Sequence, residues 1–311
     1  MNEKALQAYQ KRNAGNTKNL IFHLTARGYA SEINNMLLAI LYCLVYRINF
    51  QLHSRSWNAR ASKGWQDYFL PFCPEVRNLS LINHSPWLTD MTSFERFLDE
   101  YYKMIFPNIL LTHDIWNDMW STDFVNRHFE FPEIGINGDV FHAKRILLQL
   151  IHRFNDDIVN EMKVKDRLKD EMNTYIGVHV RRGDKVTTGE GASFHAAEYS
   201  DLIREKYPEC RQLFVATDDY AVITEFRNIF PEDYRIMTFC SQERIGHDQE
   251  HFNGKSKYER KKEMIDLFLD IRFLSDAKAF VGTFSSNIGR LIALFRDGKN
   301  CHSLDCEWHP Y

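Results

Sequence analysis

The chain has 311 residues, of which 44% are hydrophobic and 26% charged, a composition that excludes intrinsic disorder and allows two domains of ordinary size. The formal charge of −3 excludes a general attraction to nucleic acid or to an anionic membrane, so a bound anion must be held by a local basic cluster. The six cysteines have no C-x-x-C pair and no histidine at zinc-like spacing, and they predict reduced thiols.

No stretch of the sequence predicts a membrane span or a secretory leader. The longest apolar run, residues 36–46, is shorter than the about 20 residues that cross a bilayer. The first ten residues are polar and lack the apolar centre of a signal peptide. We therefore expect a soluble protein of the cytoplasm.

The first half of the chain opens with a β-turn-α unit. Residues 1–17 are polar and predict a frayed helix or a tail, and residues 19–24 predict a first strand. Gly28 marks a turn into a long apolar helix that ends near Arg47. A second strand is predicted at residues 48–53.

Aromatic and basic side chains alternate after the second strand. Trp65 and Phe69 fit either a packed loop or a surface that grips a sugar or a base, and we favour packing about two to one. Residues 83–132 predict helices and long loops, and no role follows from their sequence.

A helical stretch connects two predicted domains. Gly138 and Asp139 precede apolar residues at helical spacing, and the stretch runs on through a charged region to Lys169. We place the division after it, with residues 18–170 as an amino-terminal α/β domain and residues 171–311 as a carboxyl-terminal one.

The second half alternates strands and helices. Strands are predicted at 175–180, 213–217, 235–239 and 279–282, and helices at 194–206, 219–230, 255–275 and 285–296. This alternation predicts a parallel, doubly wound sheet.

Charged side chains follow the first strand of this sheet. The apolar run ends in His179, Arg181, Arg182, Asp184 and Lys185. In an open parallel sheet, ligands bind beyond the carboxyl ends of the strands, and two adjacent guanidinium groups suit phosphate oxygens. The segment therefore indicates a diphosphate site, although a solvated charged turn has about the same weight for this segment alone.

Two further strand ends carry polar clusters, and both should open on the same side of the sheet. Asp218 and Asp219 suit a helix cap, a carboxylate that orients an arginine, or a divalent-metal ligand. Ser285, Ser286 and Asn287 begin the last helix. There they suit a helix cap, which we favour about two to one for the motif alone, or a phosphate site.

Acidic residues elsewhere in the second half suit more specific roles. Asp266 and Asp270 share one helix face, where one of them can accept hydrogen bonds from the N1–H and N2 amino groups of guanine, or pair with Arg272 or a lysine. Glu190 lies in a glycine-bearing loop and has the freedom of a general base, whereas most loop glutamates are simply solvated.

These motifs resemble, in order and spacing, the three conserved blocks of α-1,6-fucosyltransferases. The matching segments are HVRRGDKV at 179–186, FH at 194–195, ATDD at 216–219, LDIRFLS at 269–275 and FVGTFSSNIGR at 280–290. The resemblance implies an α/β fold of the glycosyltransferase B type, with two Rossmann-like domains facing a cleft. The first domain would lie on the acceptor side, and the second would bind the GDP-sugar.

The resemblance also implies an activity. It is the inverting transfer of L-fucose from GDP-β-L-fucose to a hydroxyl of a glycan acceptor, such as the 6-OH of a GlcNAc-type sugar, without a metal or another cofactor. No nucleic acid is expected as a partner. Two alternatives stay open: a glycosyltransferase that uses another GDP-sugar such as GDP-mannose, and a catalytically silent module that binds GDP or a glycan.

Individual roles follow from the same resemblance. Arg181 would hold the β-phosphate, and Arg182 and Lys185 would support the charge of the departing GDP. Three carboxylates would orient these cations: Asp184, Asp218 and Asp219.

The remaining roles concern the base and the far side of the phosphates. His179 and Asp270 would recognise guanine, and Ser286 with Asn287 would lie at the phosphate. Glu190 is the nearest match to the general base, in a loop two residues longer than the family's. The sequence departs from the core enzyme of the family at Gly183, where that enzyme has threonine, and at Asn287, where it has glutamine.

Overall fold

The structure is a computed structural model that describes residues 3–76, 91–170, 174–183 and 194–310, with the side chains of residues 164–170 excepted. It divides into two compact units. The first is Met1–Asp157 together with Pro310–Tyr311, and the second is Ile158–His309. The observed boundary, between Asp157 and Ile158, lies about a dozen residues before the boundary predicted after residue 170.

A three-stranded parallel sheet lies at the centre of the first unit. Its order is β2-β1-β3, with β1 at Lys18–His23, β2 at Ile48–His53 and β3 at Ile109–Leu111. Helix α2 (Tyr29–Tyr46) is buried on almost every side, as expected for a helix that is apolar all round. The predicted β-turn-α-β opening is confirmed.

The other elements of the first unit surround this sheet. They are α1 (Glu3–Ala14), a 3₁₀ turn (Gly64–Asp67), α3 (Ser93–Ile105), α4 (Thr112–Met119), α5 (Thr122–Val125), the hairpin of β4 (Phe129–Phe131) and β5 (Ile136–Gly138), and α6 (Val140–Ile151). No described helix is both long enough and apolar enough to cross a membrane.

The segment predicted as a polar tail or frayed helix is the helix α1, which is packed against the first unit and is not a free tail. Leu6 and Tyr9 are buried, and the Asn13 side chain binds the outer edge of β2. Its amide donates to Phe50 O (2.9 Å), and its Oδ1 accepts from Phe50 N–H (2.7 Å). The Asn13 side chain thus makes the two backbone hydrogen bonds that a neighbouring strand would otherwise make with Phe50. The polar composition of the segment does not predict this contact.

The single connector helix predicted before residue 170 is two helices, α6 and α7 (Asp156–Asp170). Between them Phe154 forms a bridge with Phe69, and Arg153 O accepts from Leu70 N–H (2.7 Å). These hydrogen bonds hold the chain extended, so the helix cannot continue. The packing predicted for Trp65 and Phe69 is confirmed, since both rings are buried and stack at 4.3 Å between centroids.

The second unit is built on a five-stranded parallel sheet of order β10-β9-β6-β7-β8. The strands are β6 (Ile176–Val180), β7 (Gln212–Thr217), β8 (Arg235–Met237), β9 (Ala279–Gly282) and β10 (Cys301–Ser303). Val178 lies opposite Val215 on one side and Val281 on the other, and all three are fully buried. The predicted parallel, doubly wound sheet is confirmed, while the short polar strand β10 was not predicted.

Helices cover this sheet and connect its strands. They are α8 (Ala196–Lys206), α9 (Tyr220–Ile229), α10 (Gln249–Gly254), α11 (Lys257–Asp276) and α12 (Asn287–Phe295). The chain runs outward in one direction from β6 through β7 to β8, then returns to place β9 on the other side of β6. The carboxyl ends of β6 and β9 therefore flank the point where the strand order reverses, the usual ligand position in open α/β sheets.

Candidate functional site

Three of the predicted polar segments leave the second sheet side by side. Strand β6 pairs with β7 and with β9, so the residues that follow Val180, Thr217 and Gly282 emerge at neighbouring positions of one sheet edge. The strand order brings together segments that are separated by dozens of residues in the chain.

Asp218 fixes the backbone of the loop that follows β6. Its carboxylate accepts the N–H groups of Arg182 (2.8 Å), Gly183 (3.0 Å) and His247 (3.3 Å). Three backbone donors satisfy a carboxylate as well as a cation does. Asp218 therefore ties the loops after β6 and β8 to the end of β7. The sequence had suggested that it orients an arginine side chain, whereas the observed contacts are with backbone N–H groups.

Gly183 is required by the close approach of this loop to the segment after β8. A Cβ atom at Gly183 would lie 2.5 Å from His247 N, 2.7 Å from Asp218 Oδ2 and closer still to His247 O. Gly246, in the same contact, has a φ of 79°. The threonine that the family's core enzyme has here cannot fit this arrangement, and the departure at Gly183 thus has a steric reason.

The two adjacent arginines have different environments. The Arg182 guanidinium forms an ion pair with Glu225 of α9, at 2.8 Å between Nη2 and Oε2. Arg181 follows β6 directly and contributes, with burial as the largest cause, to the lowered pKa of the nearby His179. The two guanidinium groups predicted to act together therefore have different partners. Arg182 pairs with Glu225 of α9, and Arg181 lies beside His179.

Asp219 is a helix cap. It precedes α9, and its Oδ1 accepts from Ala221 N–H (2.9 Å), so the cap alternative accounts for this residue. Its backbone also pairs with Ile245. Asp219 thus anchors the same segment that Asp218 holds through His247.

The polar residues at the start of α12 have different contacts. Ser286 occupies the cap position of α12, but its side chain makes no cap hydrogen bond. It is only 6% exposed, and its hydroxyl has no hydrogen-bond partner among the described residues. A buried hydroxyl without a partner is costly, so the cap we favoured for this motif is wrong for Ser286. A buried hydroxyl at the N-terminus of a helix suits a contact with an anion.

Ser285 and Asn287 are held by other side chains. Ser285 N–H donates to Asp305 Oδ2 (3.1 Å), and Asn287 Oδ1 accepts from Arg290 Nη2 (2.9 Å). Arg290 is buried and also contacts the His309 ring (3.1 Å). Burial lowers the pKa of Arg290 to about 10, so its guanidinium remains charged at neutral pH.

Asp305 is a site residue that the sequence reasoning missed. It follows β10, and its carboxylate accepts N–H groups of Phe284 (2.9 Å) and Ser285 (3.1 Å) in the turn after β9. The signal that could have identified it is a single acidic residue after the last short strand. The sequence does not predict that strand, which has only three residues, and therefore does not point to Asp305.

His179 and Asp270 belong to different elements, β6 and α11 respectively. Burial lowers the pKa of His179 to about 4, with Asp218 opposing this shift and Arg181 adding to it. The imidazole is therefore neutral at physiological pH, and its Nδ1 is buried without a hydrogen-bond partner among the described residues. A neutral ring offers one donor and one acceptor, as recognition of a base edge requires.

The Cys240 thiol is influenced by several of the predicted acidic site residues. Burial raises its thiol pKa to about 11, with Arg244 opposing and Asp270, Asp218 and Asp219 adding. The thiol is protonated at neutral pH and lies within electrostatic reach of three predicted site carboxylates. The sequence reasoning placed Cys240 only among the reduced thiols, and all six cysteines, each within the described part of the chain, are free.

Three predicted residues lie outside the described residues. They are the cation Lys185, the carboxylate Asp184 and the predicted base Glu190, which all fall in residues 184–193.

Comparison with known proteins gives the family. A model described as alpha-(1,6)-fucosyltransferase N- and catalytic domains matches residues 123–297, more than half of the chain, including the whole polar edge of the second sheet except Asp305. The chain belongs to the α-1,6-fucosyltransferase family.

Two family members show how far the sequence similarity reaches. An alpha-(1,6)-fucosyltransferase of Caenorhabditis elegans is 30% identical over 146 residues, which are 42% of this chain and 24% of that protein. One of Drosophila melanogaster is 32% identical over 124 residues, 37% of this chain and 19% of that protein. The matches thus span a quarter or less of these relatives.

Solved structures support the fold. The NodZ alpha-1,6-fucosyltransferase soaked with GDP-fucose is similar at a TM-score of 0.53 and 12% identity, over 89% of this chain and 92% of that chain. POFUT1 in complex with GDP is similar at a TM-score of 0.52 and 12% identity, over 93% of this chain and 99% of that chain. Identities this low show the fold alone: the α/β fold of glycosyltransferase B fucosyltransferases.

Proposed function

We propose that this chain is an inverting fucosyltransferase that moves L-fucose from GDP-β-L-fucose to a hydroxyl of a glycan acceptor, with the 6-OH of a GlcNAc-type sugar as the nucleophile. The observation that carries the proposal is the buried Ser286 hydroxyl at the uncapped start of α12, which has no hydrogen-bond partner among the described residues. Ser286 lies in the turn after β9, and Arg181 follows the neighbouring strand β6. A diphosphate would supply acceptor oxygens to this hydroxyl and to the N–H groups at the helix start, and a negative charge to the positive end of the helix dipole.

Guanine recognition is assigned to His179 and Asp270. A neutral His179 can donate to or accept from the base edge, and the Asp270 carboxylate can accept from the N1–H and N2 amino groups together, a donor pair that uracil, cytosine and adenine do not offer. The free Nδ1 of His179 among the described residues supports this assignment. Family membership supports it too, since the match covers both residues.

The proposed reaction is a single displacement at the fucose anomeric carbon. A bond forms between the acceptor oxygen and the anomeric carbon while the bond from that carbon to the β-phosphate oxygen breaks. Glu190 takes the acceptor proton, and GDP departs with its new charge facing Arg181 and Lys185. We propose that these two cations, with Ser286 and Asn287, take the place of a metal ion. One such preorganised donor is commonly worth about 2.7–4 kcal/mol in the transition state.

The experiment that tests the donor site is a thermal-shift titration with GDP, UDP, ADP and CDP in EDTA, on wild type and Arg181→Ala. Ligand at about 100 times Kd should add roughly 2.7 kcal/mol to the native state, a shift of several degrees. We expect GDP alone to stabilise the wild type, and Arg181→Ala to lose most of that shift. Stabilisation by no nucleotide, or equally by all four, would contradict the proposal.

The sugar is tested separately. GDP release from GDP-fucose and GDP-mannose should be measured with a panel of GlcNAc-terminated oligosaccharides, in EDTA and in Mg²⁺. We expect release from GDP-fucose only, dependent on acceptor and equal in both buffers. Faster release from GDP-mannose would transfer the proposal to that donor, and GDP binding without release from either donor would favour the silent module.

A further inference from the structure

The turn between β9 and α12 is held from outside by one carboxylate. Asp305 accepts N–H groups of Phe284 (2.9 Å) and Ser285 (3.1 Å) in this turn, and of Cys306 (2.8 Å) beside itself. It also accepts the hydroxyl of Ser303 (2.6 Å). Burial raises the pKa of Asp305, but these hydrogen bonds outweigh it and hold the pKa at about 2, so the carboxylate is ionised at any ordinary pH.

This carboxylate decides which groups of the turn remain for a ligand. The N–H groups of Phe284 and Ser285 both donate to Asp305, and the Ser285 side chain helps to lower the pKa of that carboxyl, which indicates that it lies close to Asp305. The groups that remain are the first-turn N–H groups of α12 and the Ser286 hydroxyl, which has no partner among the described residues. Two adjacent serines that look equivalent in sequence are thus separated by their contacts.

The turn is also pressed against α12. A Cβ atom at Gly289, in the first turn of the helix, would collide with Thr283 O, and Arg290 holds Asn287 Oδ1 at 2.9 Å. The turn is therefore braced on one side by Asp305 and on the other by α12. Such bracing gives a binding site a fixed geometry before the ligand arrives.

We propose that Asp305 is a positioning residue for the donor diphosphate, which holds the turn so that Ser286 and the start of α12 face the phosphate, and that Ser285 belongs to this brace and does not contact the donor. The proposal deepens the proposed function and rests on it. It adds Asp305 to the donor site and removes Ser285, which the motif at the start of the last helix had offered as a phosphate ligand.

Asp305→Asn tests the brace with little change of shape. Asparagine keeps one acceptor oxygen but turns an amide donor toward the N–H and hydroxyl groups that the second oxygen held. Hydrogen bonds to a charged group are the strong ones, so we expect GDP to bind about tenfold more weakly or worse, as measured by isothermal titration calorimetry. Tenfold corresponds to about 1.4 kcal/mol. Acceptor KM should be unchanged.

The matched control is Asp67→Asn in the first unit. Asp67 is the same kind of brace, since its carboxylate accepts backbone N–H groups of Ala61, Ser62, Lys63 and Gly64 at 2.8–2.9 Å. We expect this variant to lose a similar amount of thermal stability and to keep wild-type GDP affinity. Equal losses of GDP affinity in both variants would show a general effect of destabilisation and overturn the proposal.

A pair of serine variants separates bracing from contact even where Asp305→Asn fails to fold. We expect Ser286→Ala to weaken GDP binding about tenfold and Ser285→Ala by less than about threefold, because the Asp305 carboxylate still holds both backbone N–H groups of the turn without the Ser285 hydroxyl. An equal or larger loss in Ser285→Ala would overturn the assignment of Ser285 to the brace.

Hydrogen exchange distinguishes failure of this inference from failure of the proposed function. In the protein without ligand, the amides of Phe284 and Ser285 should exchange faster in Asp305→Asn than in wild type, and unchanged exchange would overturn the brace. If wild type binds no GDP while exchange does accelerate, the brace stands as a structural feature, and its assignment to a GDP-sugar fails with the proposed function.

Discussion

Acidic residues at the carboxyl edge of the second sheet bind backbone N–H groups. Asp218 holds the loop after β6, and Asp305 holds the turn after β9. Each carboxylate is satisfied mainly by backbone N–H groups of a loop, so it does not depend on the arginines of the site for partners. This arrangement is compatible with the proposed binding of an anion at a site rich in aspartate.

The first prediction concerns Ser286. Removing a buried hydroxyl that has no partner leaves no unsatisfied group behind, so Ser286→Ala should be as stable as wild type or more stable in the absence of ligand. Its GDP affinity should fall about tenfold, the loss of one hydrogen bond to a charged group. Thermal melts with and without GDP measure both quantities.

Ser200→Ala is the matched control for this prediction. Ser200 is also fully buried in the second unit, and its hydroxyl likewise has no partner among the described residues. We expect the same small change in stability and no change in GDP affinity. A GDP affinity in Ser286→Ala that matches this control would contradict the phosphate role.

At the scale of elements, the conformation of the loop after β6 requires glycine at position 183. Gly183→Ala would force Cβ against the His247 backbone and the Asp218 carboxylate, and overpacking of this kind costs about 1–3 kcal/mol. We expect a lower melting temperature and weaker GDP binding together, because the same loop carries Arg181. Gly254→Ala is the control, since a Cβ there meets nothing within 4 Å; equal melting temperatures for the two variants would sink the steric argument.

Helices α3 and α4 share a titratable cluster in the first unit. Asp99 is 2% exposed, and its Oδ2 lies 3.5 Å from His113 Nδ1, while Lys103 pairs with Asp114 at 2.7 Å. Burial raises the pKa of Asp99 to about 7; Lys103 opposes this shift, whereas Asp114, Glu100 and Glu95 add to it. Burial also lowers the pKa of His113.

These shifts predict a pH dependence with a definite sign. Between about pH 4, the ordinary pKa of an aspartate, and about pH 7, the folded state keeps a proton on Asp99 that the unfolded state releases. Asp99 therefore costs stability as the pH rises through this window. His113 acts oppositely below its ordinary pKa of about 6.5, because the unfolded state binds its proton more readily.

The comparison of wild type with Asp99→Asn isolates the aspartate. The variant mimics the protonated carboxyl, so its melting temperature relative to wild type should rise steadily from pH 4 to pH 7 and level off above. Melts at half-unit steps of pH, in buffers of constant ionic strength, measure this difference. A difference that is constant across the window would show that Asp99 titrates normally.

At the scale of the whole molecule, the two units are predicted to differ in their response to the donor nucleotide. The proposed GDP contacts, His179, Arg181, Asp270 and Ser286, all belong to the second unit. Hydrogen-exchange mass spectrometry with GDP should therefore show its strongest protection in peptides that cover 176–183 and 283–295. ADP at the same concentration is the control, and stronger protection in the first unit would contradict the placement of the donor site.

The sequence alone determined the strands and helices of the second unit except β10 and α10, and the edge of the sheet where the site lies. An apolar β-branched run such as 175–180 predicts a buried strand through local physics, and charges just after it must lie at the strand end. The motifs at 179–186 and 280–290 carried the family resemblance, which the family match then confirmed. The weaker predictions were in the first unit, where α1 and the break between α6 and α7 depend on contacts with distant segments.

Only the tertiary structure decided which polar group binds which. Asp218 reaches Gly183 across 35 residues, and Asp305 reaches Ser285 across 20. Ser286 and Asp219, both at cap positions, differ in whether they cap at all. Hydrogen bonds require partners within about 3 Å, and the strand order sets which loops come that close. A local motif states what a residue can bind, and the fold selects the partner.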